Sequence, residues 1–87
     1  MITVGDGVMA SDVTEHTAWR CGQWWRVSWL PGRDLTLYEA DVALILAEDV
    51  ARGDAVQSWV KHRIEDLAEI LRLSPVTAAA ACERAPQ

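Results

Sequence analysis

Phenylalanine and asparagine are absent from this chain of 87 residues, and lysine occurs once, at Lys61, so that the basic set is otherwise all arginine. These are residues that AT-rich codons encode, while alanine and valine are plentiful, a pattern that points to a GC-rich genome. Cysteine is scarce too. Cys21 and Cys82 are too few and too far apart in sequence for a metal framework, and without a secretory signal they read as two free thiols of a reducing compartment. The first residues carry neither the basic start nor the long apolar stretch of a signal peptide. No apolar run reaches the roughly 20 residues needed to span a bilayer, and the longest, Val42 to Ala47, is flanked by Asp41 and Glu48. The expectation is a soluble protein of the bacterial cytoplasm with no membrane contact.

Excess positive charge is also missing. A net charge of −5 opposes affinity built on phosphate contacts alone, because that affinity comes from Lys and Arg displacing counterions. Phosphate-cradling motifs are absent, and the five glycines stand singly in turns or near the N-terminus. No histidine or cysteine stands at metal-ligand spacing from His62, which belongs to a polar helix stripe. Glu65, Asp66 and Glu69 form a solvated face with nothing apolar to separate their pKa values. Cys21 and His16 fall on opposite faces of the expected hairpin, and Ser28 has no histidine beside it. No cofactor, metal or catalytic residue is assigned, and the chain is read as a non-enzyme.

What the sequence has in excess is tryptophan, with four of its five within Trp19 to Trp29. A single domain of this size buries only about 60 to 65 % of the surface that its unfolded chain exposes, so large rings matter to its core. Residues 1–15, with Gly5, Gly7 and little periodicity, read as a flexible arm, and residues 16–87 as one α+β domain. From His16 to Leu30 the pattern is a β-hairpin turning at Gly22-Gln23, with the first central Gly suited to type II′. Cys21 then opposes Trp24, Arg20 opposes Trp25, Trp19 opposes Arg26 and Ala18 opposes Val27. Ala18, Trp25, Val27 and Trp29 share one face, which packs on a helix. Trp19, Cys21, Trp24, Arg26 and Ser28 share the other, either as a cation–π pair shielding the rings or as a binding patch.

"LPGRD" is expected to end the strand, with Pro31-Gly32 in a type II turn. Thr36 and Glu39 then form a capping box for a helix running to about Arg52, with Gly53 beyond its end. Its apolar arc is broadened by Val42 and Leu46, and Ile45 falls on an otherwise wet stripe, which calls for a second layer or a second subunit. A second helix starts after Asp54 or Ser58 and runs to about Leu73, burying Val56, Trp59, Val60, Ile64, Leu67, Ala68, Ile70 and Leu71. A third begins with Ser74 as N-cap and Pro75 at N1. The expected architecture is ββααα, a Trp-rich hairpin on two or three helices.

Ile64 to Ala85 resembles a helix-turn-helix, but Arg72 stands where a turn glycine is common, and the would-be recognition helix offers mostly alanine with Thr77 and Arg84. Base edges are read by Arg, Lys, Asn and Gln, so a structural helical corner is the better reading. "WRVSWLPGRDLT", "EADVALILAEDV" and "SWVKHRIEDLAEILRLSP" together resemble small proteins of actinobacteria and their phages, across most of Ala18 to Val76. That resemblance implies a phage or mobile-element origin and no activity. Two functions follow. The leading one is a protein-interaction module that uses Trp19, Trp24, Arg26 and Ile45, or a hairpin edge, to bind a host protein or a second copy as a homodimer. The alternative is a DNA-binding regulator that uses Arg20, Arg26, Arg33, Thr77 and Arg84.

Overall fold

A computed structural model describes residues 2–52 and 58–83. Five antiparallel strands, β1 (Ile2–Val4), β2 (Val8–Ser11), β3 (Thr17–Cys21), β4 (Trp24–Val27) and β5 (Leu30–Leu35), form one sheet in chain order. Three helices follow, α1 (Leu37–Ala51), α2 (Ser58–Ile70) and α3 (Pro75–Glu83). The α+β class stands, but the hairpin is the centre of a larger meander.

The expected flexible arm is one correction, since residues 2–11 form β1 and β2. Gly5 and Gly7, which read as looseness, make the turn between them. Gly7 takes φ 78, where L-residues with a Cβ are strained, and Gly5 N–H donates to the Val8 carbonyl at 2.7 Å. Met9 alternates inward and is fully buried, pairing with Ala18 of β3. The β3–β4 hairpin has the expected register, with Ala18, Trp19, Arg20 and Cys21 opposite Val27, Arg26, Trp25 and Trp24. Gly22 sits at φ 68 while Gln23 keeps a negative φ, the pattern of a type II′ turn.

The second correction is β5. The chain turns at Ser28-Trp29, upstream of the expected Pro31-Gly32, and "LPGRD" continues as a strand with a register irregularity between Trp25 and Val27. Gly32 does not take the positive φ that a type II turn would need there. Pro31 is tolerated because β5 is an edge strand, where a missing N–H breaks no ladder. Trp29 anchors the early turn. Its ring is buried and its indole N–H donates to the Ala43 carbonyl of α1 at 3.1 Å, so its polar atom is satisfied inside the core.

Helix α1 starts as its sequence dictates, with Thr36 Oγ1 accepting from Glu39 N–H at 3.1 Å and Glu39 Oε1 accepting from Thr36 N–H at 3.0 Å. It is buried almost all round, through Ala40, Val42, Ala43, Leu44, Leu46, Ala47, Glu48 and Asp49. The Trp29–Ala43 bond and a 2.6 Å bond from Ser11 Oγ to Glu48 Oε2 fix one side against the sheet. An ion pair of 2.8 Å between Asp49 Oδ2 and Arg63 Nε fixes the other against α2. Sheet, α1, and the α2–α3 pair thus form successive layers, and the broad arc around Val42 and Leu46 is covered by this second helical layer.

Helix α2 buries Ile64 and Ala68, with Leu71 just beyond its end and Leu67 half-buried. Ile70, expected on the buried side, is instead exposed, because it lies where the helix ends and the chain swings toward α3. Gly53 and Val56, and the side chains of Trp59 and Val60, lie outside the described residues. Arg72 N–H donates to Glu69 and Leu73 N–H to Ala68, both at 2.9 Å, the paired bonds of a Schellman ending. That motif puts Arg72 at φ 59, a position glycine favours. Arg33 of β5 donates through Nη1 to the Leu71 carbonyl and satisfies one of the orphan acceptors at this helix end. Ser74 caps α3, its Oγ accepting from Thr77 N–H at 3.3 Å, with Pro75 in the first turn.

Two outcomes test these local accounts. Arg72→Gly should raise unfolding free energy by up to about 1.5 kcal/mol, the left-handed penalty less the entropy of glycine, and urea denaturation showing a loss would contradict the Schellman assignment. Burial pushes the Glu48 carboxyl up, but the Ser11 hydrogen bond and nearby positive charge outweigh it, leaving a pKa below the ordinary 4.5. Its contribution is therefore complete above about pH 5 and lost as pH falls below 4.5 through the lowered folded value. Ser11→Ala should flatten that part of the stability profile, as measured by denaturant midpoints from pH 6 to pH 3.

Candidate functional site

Because all the sheet's main helix contacts are with α1, on one face, the other face has no helix over it among the described residues. Alternation sends Met9, Ala18, Trp25, Val27 and Leu35 to the covered side, where all five are buried. It sends Val8, Trp19 and Arg26 to the open side, in one row across β2, β3 and β4. Trp24 stands diagonal to Trp19, since Trp19 pairs with Arg26 two residues further along β4. The exposed fractions are 48 % for Val8, 37 % for Trp19 and 41 % for Trp24, against 8 % for Trp25 and 6 % for Trp29. Sequence alternation therefore sorted these tryptophans into two pairs with opposite fates.

Arg26 is held on this face by Asp34 of β5, Nε to Oδ1 at 3.1 Å, with both side chains largely in water. A surface pair of this kind contributes about 0.2 to 1 kcal/mol and leaves the patch with no local charge excess. Neither indole N–H of Trp19 or Trp24 is engaged in a hydrogen bond among the described residues. The Trp19, Trp24 and Arg26 grouping is thus brought together. Ile45 is not part of it, being half-buried on α1, on the other side of the sheet. The supposed hairpin edge is not available either, because β3 and β4 are interior strands flanked by β2 and β5.

The residues of the DNA-binding alternative do not converge. Arg20 bends back to the Gly22 carbonyl at 2.9 Å, Arg26 lies on the open face with Asp34, and Arg33 reaches the end of α2 on the covered side. Thr77 is exposed in the first turn of α3, and Arg84 lies outside the described residues. Helix α3 packs Ala78 and Cys82 inward, and its exposed described residues, Pro75, Val76, Thr77, Ala80 and Glu83, supply no base-reading cation.

One cluster was missed by sequence reasoning, which left Ser28 on the open face without a histidine. His16 is 3 % exposed, its Nδ1 lies 2.8 Å from Ser28 Oγ, and its Nε2 lies 2.8 Å from the Cys82 carbonyl. A carbonyl only accepts, so Nε2 carries a proton and donates to it, and in the neutral ring Nδ1 then accepts from the Ser28 hydroxyl. Ser28 Oγ in turn accepts Thr17 N–H at 3.0 Å. Both ring nitrogens are bonded, Nδ1 to the turn after β4 and Nε2 to α3, which makes the imidazole a strut between sheet and helix. No signal at spacing twelve in the sequence could show it, because the early turn at Ser28 creates the contact.

His62 stands exposed beside Glu65, as its polar stripe implied. Among the described residues no group of three or more His, Cys, Asp or Glu is placed to hold a metal, and no helix is long and apolar enough to cross a membrane. Both cysteines are free, Cys21 exposed and Cys82 buried. Burial, with Glu83 adding to it, pushes the Cys82 thiol up to about 12, so it stays protonated and unreactive at neutral pH. Thiol titration of the native protein at pH 8 should therefore register Cys21 rapidly and Cys82 only in denaturant, and two equally fast thiols would contradict this packing of α3. No family model, curated protein or solved structure matches the chain.

Proposed function

We propose that this chain is a small non-catalytic interaction module, of phage or mobile-element origin as its sequence resemblance implies, that binds a protein partner through the open face of its sheet. The observation that carries this reading is the contrast between two pairs of rings on neighbouring strands and their turn. Trp25 and Trp29 are buried in the core, whereas Trp19 and Trp24 keep 37 % and 41 % of their surface in water. Exposed Trp beside Arg is the composition of binding hot spots, where a ring already held by a rigid sheet loses little entropy on contact.

The arrangement of the arginines supports this reading over nucleic-acid binding, since each described arginine of that alternative is held apart from the others, and the chain is acidic. The test is partner recovery by immobilised protein from a bacterial host extract. Trp24→Ala should weaken binding by about 2 kcal/mol or more, and Arg26→Ala by less, the latter losing no more than about 1 kcal/mol of stability with its Asp34 pair. Ile70→Ser, an exposed apolar change on α2, should leave recovery intact. Equal recovery by wild type and Trp24→Ala would exclude the open face.

A further inference from the structure

Resting on the reading of the open face as a protein-binding surface, we infer that its occupant is a proline-rich segment in the polyproline II conformation, seated between Trp19 and Trp24. Three properties of the patch narrow the choice to this class.

The first is area. The exposed shares of Trp19 and Trp24, 37 % and 41 %, leave about 60 to 100 Å² on each ring. With Val8 and the Arg26 stem, the patch stays below roughly half of the 800 Å² per partner that a stable globular interface buries. A second copy would also bring a second net charge of −5. The surface fits a short linear segment better than a folded partner.

The second is the lack of backbone partners. Trp19 and Trp24 stand on interior strands whose main-chain groups are spent on their neighbours in the sheet. A peptide lying over them cannot be added as a β-strand, so all recognition must come from side chains. A polyproline II segment suits that constraint, because it makes no internal hydrogen bonds, exposes every carbonyl, and is extended before it binds. The uncommitted indole N–H groups of Trp19 and Trp24 can donate to those carbonyls while the ring faces take the pyrrolidines. Diagonal positions on paired strands lie about 7 to 8 Å apart, and one polyproline II turn rises about 9 Å, so the rings bracket about one turn.

The third is charge. Arg26 is neutralised by Asp34, which removes the cation that a single-stranded nucleic acid would need for its phosphates beside stacking rings. A neutral apolar ligand meets no unpaired charge.

The experiment titrates the full chain with blocked decaproline, a Gly-Ser peptide of equal length and oligo-thymidylate, following the indole N–H signals by NMR and heat by calorimetry. Decaproline should bind saturably with Kd below about 1 mM, shifting Trp19 and Trp24 signals but not Trp29, while the other two probes do not. Trp24→Ala, titrated at a temperature where its circular dichroism matches the folded wild type, should weaken decaproline at least tenfold, and Trp19→Ala similarly. Absence of saturable decaproline binding, equal binding by Trp24→Ala, or tighter binding of the oligonucleotide would overturn the inference. A random dodecapeptide display selection, counter-screened on Trp24→Ala, separates it from its premise. Trp24-dependent peptides rich in proline support both, Trp24-dependent peptides without proline overturn the ligand class alone, and a selection with no Trp24-dependent peptide overturns both.

Discussion

The all-round burial of helix α1 is the constraint on which the other elements depend. An amphipathic helix needs one partner, but α1 presents Leu44 and Glu48 along one line and Val42, Leu46 and Asp49 along another, and all five are buried. Alanines at positions 40, 43 and 47 let neighbouring layers approach closely enough to fill both sides. Each fully buried Leu or Val side chain contributes about 1.5 to 3 kcal/mol by leaving water, which in so small a domain is a large fraction of net stability. The polar residues within these lines are paired across the layers. Ser11 satisfies Glu48 on the sheet side, and Arg63, with Arg52 at 3.6 Å, meets Asp49 on the helical side.

This layering decides what remains for function. Since α1 occupies one face of the sheet, and α2 and α3 pack on α1, no helix among the described residues is left for the opposite face. The two struts that bypass α1, His16 to Cys82 and Arg33 to Leu71, both attach the helical pair to the covered side. They commit the imidazole and one guanidinium to structure. At the sheet's rims, β5 is protected by Pro31 and its irregular pairing, and β1 is only three residues long, both devices that discourage strand addition. The proposed interaction is therefore one of side-chain contact over Trp19 and Trp24.

The central part of this arrangement was legible in the sequence, and the reasons are local. Gly22 fixes the β3–β4 register, and period-two alternation then separates Trp19 and Trp24 from Trp25 and Val27. Thr36 and Glu39 fix the start of α1, and Ser74-Pro75 that of α3. What was not legible depends on contacts between distant segments. Gly5 and Gly7 suit either a loose arm or a hairpin turn, and only pairing of Met9 with Ala18 decides it. Pro31-Gly32 reads as a turn until Trp29 is seen bonded to Ala43, which moves the reversal upstream and leaves the proline on an edge. The same shift brings Ser28 to His16. At the candidate site, alternation was enough to group Trp19, Trp24 and Arg26, whereas Asp34 as the partner of Arg26 required β5 to exist.

The most direct test of this account is hydrogen exchange at the assigned indole N–H groups in dilute solution. Trp29, bonded to Ala43 in the core, should exchange slowly and only through opening of the fold, while Trp19 and Trp24 should exchange at the rate of free indole. Protection of Trp19 or Trp24 comparable to that of Trp29 would mean that the outer face is covered in the isolated protein, and the account of an open sheet would be wrong.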